Sequence, residues 1–361
     1  MLFRSVVVIN PTEETLYRYG QLKEERQSLQ KIYETSIPLS GETSDGCKVQ
    51  LLANIGSFED CQSAIELGAS GVGLFRTESL YIHREHFPCE EEQFAAYKAV
   101  VTKMQPHGVI IRTLDLGGDK QIATYFEHEA NPFMGYRAIR FCLEHTELFK
   151  DQLRAILRAS AFGKVKLMYP MIGSVSDIVR ANQLLEEVKL ELRQKKIAFD
   201  PNLEVGSMIE IPSAAITADL LAEHCSFFSI GTNDLIQYLL AVDRTNDRIA
   251  HLYEPSHPAV VRTIAQITAA ARKKGIPVGV CGEMAADPIY VPLLLGLGVD
   301  SLSLSPSCLP ETKFFVRTMN MAEIKAMAET ILRQNDSKRI FEMLKDFYSK
   351  QLEKVLNKNR D

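Results

Sequence analysis

From Lys48 onward the chain repeats one unit, a short apolar run bounded by turn residues and followed by a longer amphipathic segment. Eight such runs occur: VQLLANI (49–55), GVGLF (71–75), GVIIRTLD (108–115), VKLMYP (165–170), EVGSMIEI (204–211), FFSI (227–230), PVGVC (277–281) and SLSLS (301–305). They read as continuous rather than alternating, the pattern of strands covered on both faces. Amphipathic helices are expected between them at 58–67, 91–104, 148–161, 175–195, 213–222, 234–241, 258–274 and 288–297. Strands alternating with helices make parallel βαβ units. Eight units over about 260 residues predict an α/β fold, a closed (β/α)8 TIM barrel. An open doubly wound sheet is the alternative this pattern leaves standing. Two further amphipathic segments, 321–334 and 338–357, predict C-terminal helices.

Ahead of the first run, Asn10-Pro11-Thr12-Glu13 reads as a helix start. Asn10 can cap, Pro11 suits the first helical position, and Glu13 closes a capping box. The segment up to about residue 35 is heavily charged, with sparse apolar positions at Leu16, Leu22, Leu29 and Ile32. It predicts an exposed, partly docked connector helix over 1–36, with the barrel over 37–361.

Composition narrows the class. The 361 residues are 46% hydrophobic and 24% charged, which excludes a disordered or fibrous chain. Basic residues number 41 and acidic ones 46, for a net charge of −5, so no nucleic-acid partner is expected. The longest apolar run, 290–299, has ten residues, whereas a membrane span needs about 20; no membrane association is expected. The apolar stretch near the N-terminus is too short for a signal-peptide core. Seven cysteines are present and no two are three positions apart. That excludes CxxC sites and fits reduced thiols in a cytoplasmic protein.

A barrel carries its chemistry at the C-terminal ends of its strands. Arg76 follows GVGLF, Arg112 lies in GVIIRTLD, Glu210 closes GSMIE, Asn233 and Asp234 follow FFSIGT, and Cys281 closes PVGVC. Five strands thus end in charged, amide or thiol residues, which points to one site on one rim. Glu210 and Asp234, on neighbouring strands, offer two hard oxygens that suit Mg²⁺ with waters and a substrate phosphate; a plain salt-bridged pair is the alternative. Arg76, Arg112, Arg137 and Arg244 suit phosphate and carboxylate, because the guanidinium fork binds both bidentately. Arg137 and Arg140 read equally as helix-face charges. Asn233, at a helix start, can meet an anion. With Mg²⁺ balanced by two carboxylates, four arginines leave a surplus of positive charge for a small anion bearing both phosphate and carboxylate. No GxxxxGK(S/T) or GxGxxG string occurs, which speaks against ATP and nicotinamide folds. Cys281, in GVCGEMAAD, reads as a proton donor or nucleophile, or as a small buried core residue.

The strings GVGLFRTESLYI, IIRTLDLGGDK, NPFMGYRAIR, FFSIGTNDLIQYLLAVDR and VCGEMAAD resemble the phosphoenolpyruvate-utilising enzymes. QLLANIGS, EEEQFAAYKAV and LRAILRASAFGK are most similar to the branch of enzyme I of the bacterial phosphotransferase system. The resemblance implies a (β/α)8 barrel that dimerises as a homodimer. It implies that Arg76, Arg112, Arg244 and Asn233, with the backbone at Asp234, hold phosphoenolpyruvate, that Arg137 and Lys120 line the same site, that Glu210 and Asp234 bind Mg²⁺, and that Cys281 protonates the pyruvate enolate. It further implies a phosphohistidine domain and the phosphocarrier protein HPr as partners. The family's GGxTSH motif does not occur in these 361 residues and none of the eight histidines has its context, so this chain is expected to bind substrate without completing turnover. Two other readings remain: a non-catalytic module sensing phosphoenolpyruvate or pyruvate, and a lyase-type barrel acting on pyruvate enolates with Mg²⁺. The equivalent domain of a phosphoenolpyruvate synthase or pyruvate phosphate dikinase is the near variant of the first reading.

Overall fold

The computed structural model describes residues 29–82, 84, 86–117 and 129–358. All eight apolar runs form parallel strands: β1 Gln50–Ile55, β2 Gly71–Phe75, β3 Gly108–Arg112, β4 Val165–Tyr169, β5 Glu204–Ile209, β6 Phe227–Ile230, β7 Val278–Val280 and β8 Ser301–Leu304. They close in chain order. The register Gln50↔Ser301 through Ala53↔Leu304 joins the last strand to the first. This pairing removes the open-sheet alternative.

Local signals set most helix ends. Pro258 opens helix Pro258–Lys274, His257 Nδ1 accepts the Ala259 N–H at 3.1 Å, and Gly275 ends it at φ +76°, the asymmetry expected of proline and glycine. The single helix expected at 213–222 is two, Pro212–Ile216 and Ala218–Leu221. Both the N–H and the hydroxyl of Thr217 donate to the Ser213 carbonyl, at 3.1 and 2.8 Å, and this local turn interrupts the helix. Helices Ile139–Glu144 and Leu309–Thr318 were not anticipated.

The core fills the shell between barrel and helices, with Phe75, Tyr97, Phe149, Tyr169 and Phe228 fully buried there. Each such side chain contributes roughly 1.5–3 kcal/mol through the surface it removes from water. Inside the barrel the packing is two-sided. Leu74, Met168, Met208, Phe227 and Cys281 form a separate apolar cluster. Gly73, Ser229, Gly279, Ser301 and Ser303 line the lower lumen. SLSLS is therefore alternating rather than continuous: Leu302 and Leu304 join the outer core while Ser301 and Ser303 face the lumen.

Most of the expected connector helix, residues 1–28, lies outside the described residues. Residues 29–34 are helical. Tyr33 packs on Phe314 and Phe315, at 5.3 and 5.9 Å between ring centroids, and Ser36 Oγ donates to the Pro310 carbonyl at 2.8 Å. This stretch is thus fastened to helix Leu309–Thr318. The C-terminal helices are Met321–Leu332 and Ser337–Lys358. The second places Tyr348 against Phe315 at 4.7 Å.

Candidate functional site

A cavity of about 420 Å³ lies at the C-terminal ends of the strands. A larger one, about 650 Å³, lies at the opposite end of the barrel. The smaller is the candidate site because it gathers the charged side chains. It brings together Arg76, Arg112, Arg137, Arg244, Glu210, Asn233, Asp234 and Cys281. Of the residues anticipated there, only Lys120 cannot be placed, since it lies outside the described residues. Arg140 faces away, donating to the carbonyls of Met134 and Gly135 at 2.7 and 2.9 Å.

Two carboxylates that the sequence reading passed over organise the arginines. Asp115, 2% exposed, pairs with Arg112 Nη1 at 2.9 Å and with Arg137 Nη2 at 2.9 Å. Arg137 Nη2 also reaches Asp234 Oδ2 at 3.1 Å. Glu78, 4% exposed, forms a close ion pair with Arg112. Burial by itself would lower the pKa of Arg112, but Glu78 and Asp115 more than offset it and hold the guanidinium firmly charged. Asp115 and Asp234 do the same for Arg137. The cationic surplus inferred from four arginines is smaller by these two acids. The available signal was an acid two or three positions after a strand-end arginine, in RTES and RTLD.

The strand ends are braced from behind. Gln152, buried on helix Thr146–Ser160, accepts the Leu114 N–H at 2.9 Å and donates to Thr77 Oγ1 at 3.3 Å. Thr77 Oγ1 donates to the Arg112 carbonyl at 3.1 Å. The ends of β2 and β3, which carry Arg76, Glu78, Arg112 and Asp115, are thereby tied together.

Glu210, 2% exposed, accepts the Met171 N–H at 2.7 Å. Met171 has φ +56°, a left-handed conformation uncommon outside glycine. Burial, then the charges of Asp234 and Asp115, push the Glu210 carboxyl well above the ordinary range. A nearby cation would relieve that cost. Gly231 leaves room: a Cβ there would lie 2.6 Å from Glu210 Oε2. Asp234 Oδ1 is buried without a hydrogen-bond partner; Arg244 Nη2 lies 3.8 Å from it. Among the described residues no three His, Cys, Asp or Glu side chains are grouped to hold a metal. Two carboxylates with one open oxygen fit Mg²⁺, which keeps waters and takes ligand oxygens, and do not fit an all-protein cage.

Arg76 is exposed at the rim. The Nε atoms of Arg112 and Arg244 are buried without partners, donors left for an anion. Asn233 lies in the first turn of helix Thr232–Leu240 and its Oδ1 accepts the Glu283 N–H at 2.8 Å, tying the β6 end to the Cys281 loop. Cys281, 4% exposed, donates through Sγ to the Ile230 carbonyl at 3.7 Å. Burial raises its thiol pKa, so at neutral pH it carries its proton.

A barrel rim that gathers four arginines, buried carboxylates and a protonated thiol in one cavity is suited to a small anion. The chain belongs to the PEP-utilising enzymes, its residues 32–321 matching the model of their PEP-binding domain. It is 43% identical over 343 residues to a phosphoenolpyruvate-protein phosphotransferase of Priestia megaterium, covering 95% of this chain and 60% of the relative. The corresponding Haemophilus influenzae protein is 45% identical over 357 residues, 97% of this chain and 61% of the relative. That of Mycoplasma capricolum is 46% identical over 306 residues, 84% and 53%. The chain thus spans somewhat over half the length of these relatives.

Proposed function

We propose that this chain is the phosphoenolpyruvate-binding, Mg²⁺-dependent part of a phosphoenolpyruvate-protein phosphotransferase, enzyme I of the sugar phosphotransferase system. The phosphoryl group would pass to a histidine of a phosphohistidine domain and onward to HPr. The observation that carries this reading is the convergence of four arginines, the Glu210 and Asp234 carboxylates and a buried thiol in one cavity.

Each residue then has a task. Arg76, Arg112 and Arg244 hold the phosphate and carboxylate by charge-assisted hydrogen bonds. Asp115 and Glu78 fix Arg112 and Arg137 in position before the ligand arrives. Glu210 and Asp234 would hold a magnesium ion, which would supply positive charge to offset that of the phosphate. Asn233 orients the loop that carries Cys281. The thiol then gives its proton to C3 of the pyruvate enolate. The same reading makes the protein a cytoplasmic homodimer. Support for a second copy comes from Ile216 and Leu220, large apolar side chains 66% and 54% exposed on successive short helices. Among the described residues no helix is long and apolar enough to cross a membrane.

Calorimetric titration of phosphoenolpyruvate with and without Mg²⁺ tests the proposal; folded protein with no Mg²⁺-dependent binding would reject it. Arg76→Lys should weaken phosphoenolpyruvate binding about tenfold or more, since a lysine keeps the charge but loses the bidentate fork. Arg76 is exposed, so Tm should not change; equal affinity in the variant would remove Arg76 from the clamp. Cys281→Ala should keep the phosphoenolpyruvate affinity within about threefold, because the thiol acts after phosphoryl transfer, not in binding. A large loss of affinity would make Cys281 a binding residue instead.

A further inference from the structure

We propose that Asn54 is a positioning residue that sets the Cys281 thiol against C3 of the ligand. The inference deepens the reading above and rests on Cys281 being the proton donor. Cys281 stands just past β7, whose register with β8 ends at Val280↔Leu302. Beyond that point a side chain takes its carbonyl: Asn54 Nδ2 donates to it at 3.0 Å. A donor that must meet one carbon atom needs a fixed backbone, since misplacement by about 1 Å can slow a reaction about 100-fold.

Asn54 lies on β1, which pairs with β2 and β8, so its amide reaches past β8 to the end of β7. Ser303 of β8 donates through Oγ to Asn54 Oδ1 at 2.6 Å. That hydroxyl sets the orientation of the amide. A carbonyl only accepts, so the NH2 group faces Cys281 and Oδ1 is left to face a donor. On its other side, the Cys281 N–H donates to the Ile230 carbonyl of β6 at 3.1 Å. The cysteine is thus pinned from β6 and from β1. The residues after it are held as closely. Asn233 Oδ1 accepts the Glu283 N–H at 2.8 Å, and a Cβ on Gly282 would overlap Thr232 Oγ1. Cys281 lines the ligand cavity and Asn54 does not, so Asn54 acts through the cysteine.

Bromopyruvate reads this alignment directly, because it presents the C3 carbon of pyruvate with a leaving group. The Cys281 sulfur bonds to C3 as the C–Br bond breaks; bromide departs and the thiol proton passes to solvent. No phosphoryl acceptor is needed. The chain has seven cysteines, so labelling is followed by mass spectrometry at the Cys281 peptide.

Labelling of the 361-residue chain with Mg²⁺, measured against bromopyruvate concentration and pH, tests the proposal. Wild-type Cys281 should label at a rate that saturates. In Asn54→Ala the saturating rate should fall at least tenfold, as expected of a misplaced nucleophile. The half-saturating concentration should stay within about twofold, because the groups that bind the ligand are untouched. The rate should stay depressed at alkaline pH, with the midpoint of its pH profile unmoved. Ser303→Ala, which removes only the bond that orients the amide, should slow labelling about threefold. Ser303→Thr keeps the hydroxyl, and Ser303 borders the lower cavity, which has room for a methyl; it should restore the rate. Asn54→Ala with Ser303→Ala should label no more slowly than Asn54→Ala alone, since the serine works only through the amide. If Asn54→Ala fails to fold, the Ser303 pair decides. A wild-type rate in Asn54→Ala, or in Ser303→Ala if only that variant folds, would overturn the proposal. So would a half-saturating concentration that rises in step with the loss of rate, or a rate regained at alkaline pH. Absence of saturable labelling at Cys281 in the wild type would remove the proton-donor reading and this inference with it.

Discussion

Replacing Asp115 by alanine is expected to cost about 3–5 kcal/mol of stability, the usual penalty for removing one partner of a buried ion pair. Asp115 is 2% exposed and faces both Arg112 and Arg137, each buried and each at 2.9 Å. Its loss leaves two buried guanidiniums with less compensation. Tm should fall by on the order of 5–10 °C, and phosphoenolpyruvate affinity should fall at least tenfold as the arginines lose their fixed positions. Asp115→Asn keeps the shape and an acceptor, so it should lose less stability while still weakening binding. Thermal unfolding and calorimetry on both variants check this. Unchanged Tm and affinity in Asp115→Ala would show that Glu78 and Asp234 suffice to hold the arginines.

Glu210→Gln should remove the response of phosphoenolpyruvate binding to Mg²⁺ while leaving the fold intact. The amide oxygen can still accept the Met171 N–H now taken at 2.7 Å, so Tm should hold. What disappears is the anionic oxygen, and Mg²⁺ affinity should drop about 100-fold. Burial raises the pKa of the wild-type carboxyl, so lowering the pH protonates it before ordinary carboxylates. Protonation competes with the cation. Wild-type Mg²⁺ affinity should therefore weaken as pH falls from alkaline through neutral, and the glutamine variant should lose that pH dependence. An unchanged Mg²⁺ response would take Glu210 out of the metal site.

The strands were legible because each has its own local signature: a short apolar run, a turn before and a turn after. All eight fell where the sequence pointed. Helix Pro258–Lys274 was legible to the residue because a proline and a glycine bracket it. Leu309–Thr318 was not, since it follows β8 after only a short turn and its apolar face is explained only by what lies on it, Tyr33 and Tyr348. The split at Thr217 turns on a hydroxyl folding back on its own backbone, which spacing does not reveal.

The site divides in the same way. Arg76, Arg112, Glu210, Asp234 and Cys281 could be named in advance because parallel barrel strands all point their ends at one rim. A residue at a strand end is thus a residue at the site, whatever the distances. Asp115 and Glu78 looked like ordinary acids in a charged loop, and only their burial against Arg112 separates them from surface residues.

The linear order of apolar runs and turns was enough to place eight parallel strands and the strand ends that bear the charged residues, because strand formation and parallel crossover are local and repetitive. Only the tertiary structure decided that the sheet closes rather than staying open, which acids pair with which arginines, and which oxygen and guanidinium atoms are left without partners. Those depend on residues far apart in sequence, such as Arg137 and Asp234, 97 positions apart, meeting at a distance of a few ångströms, and no local pattern encodes that.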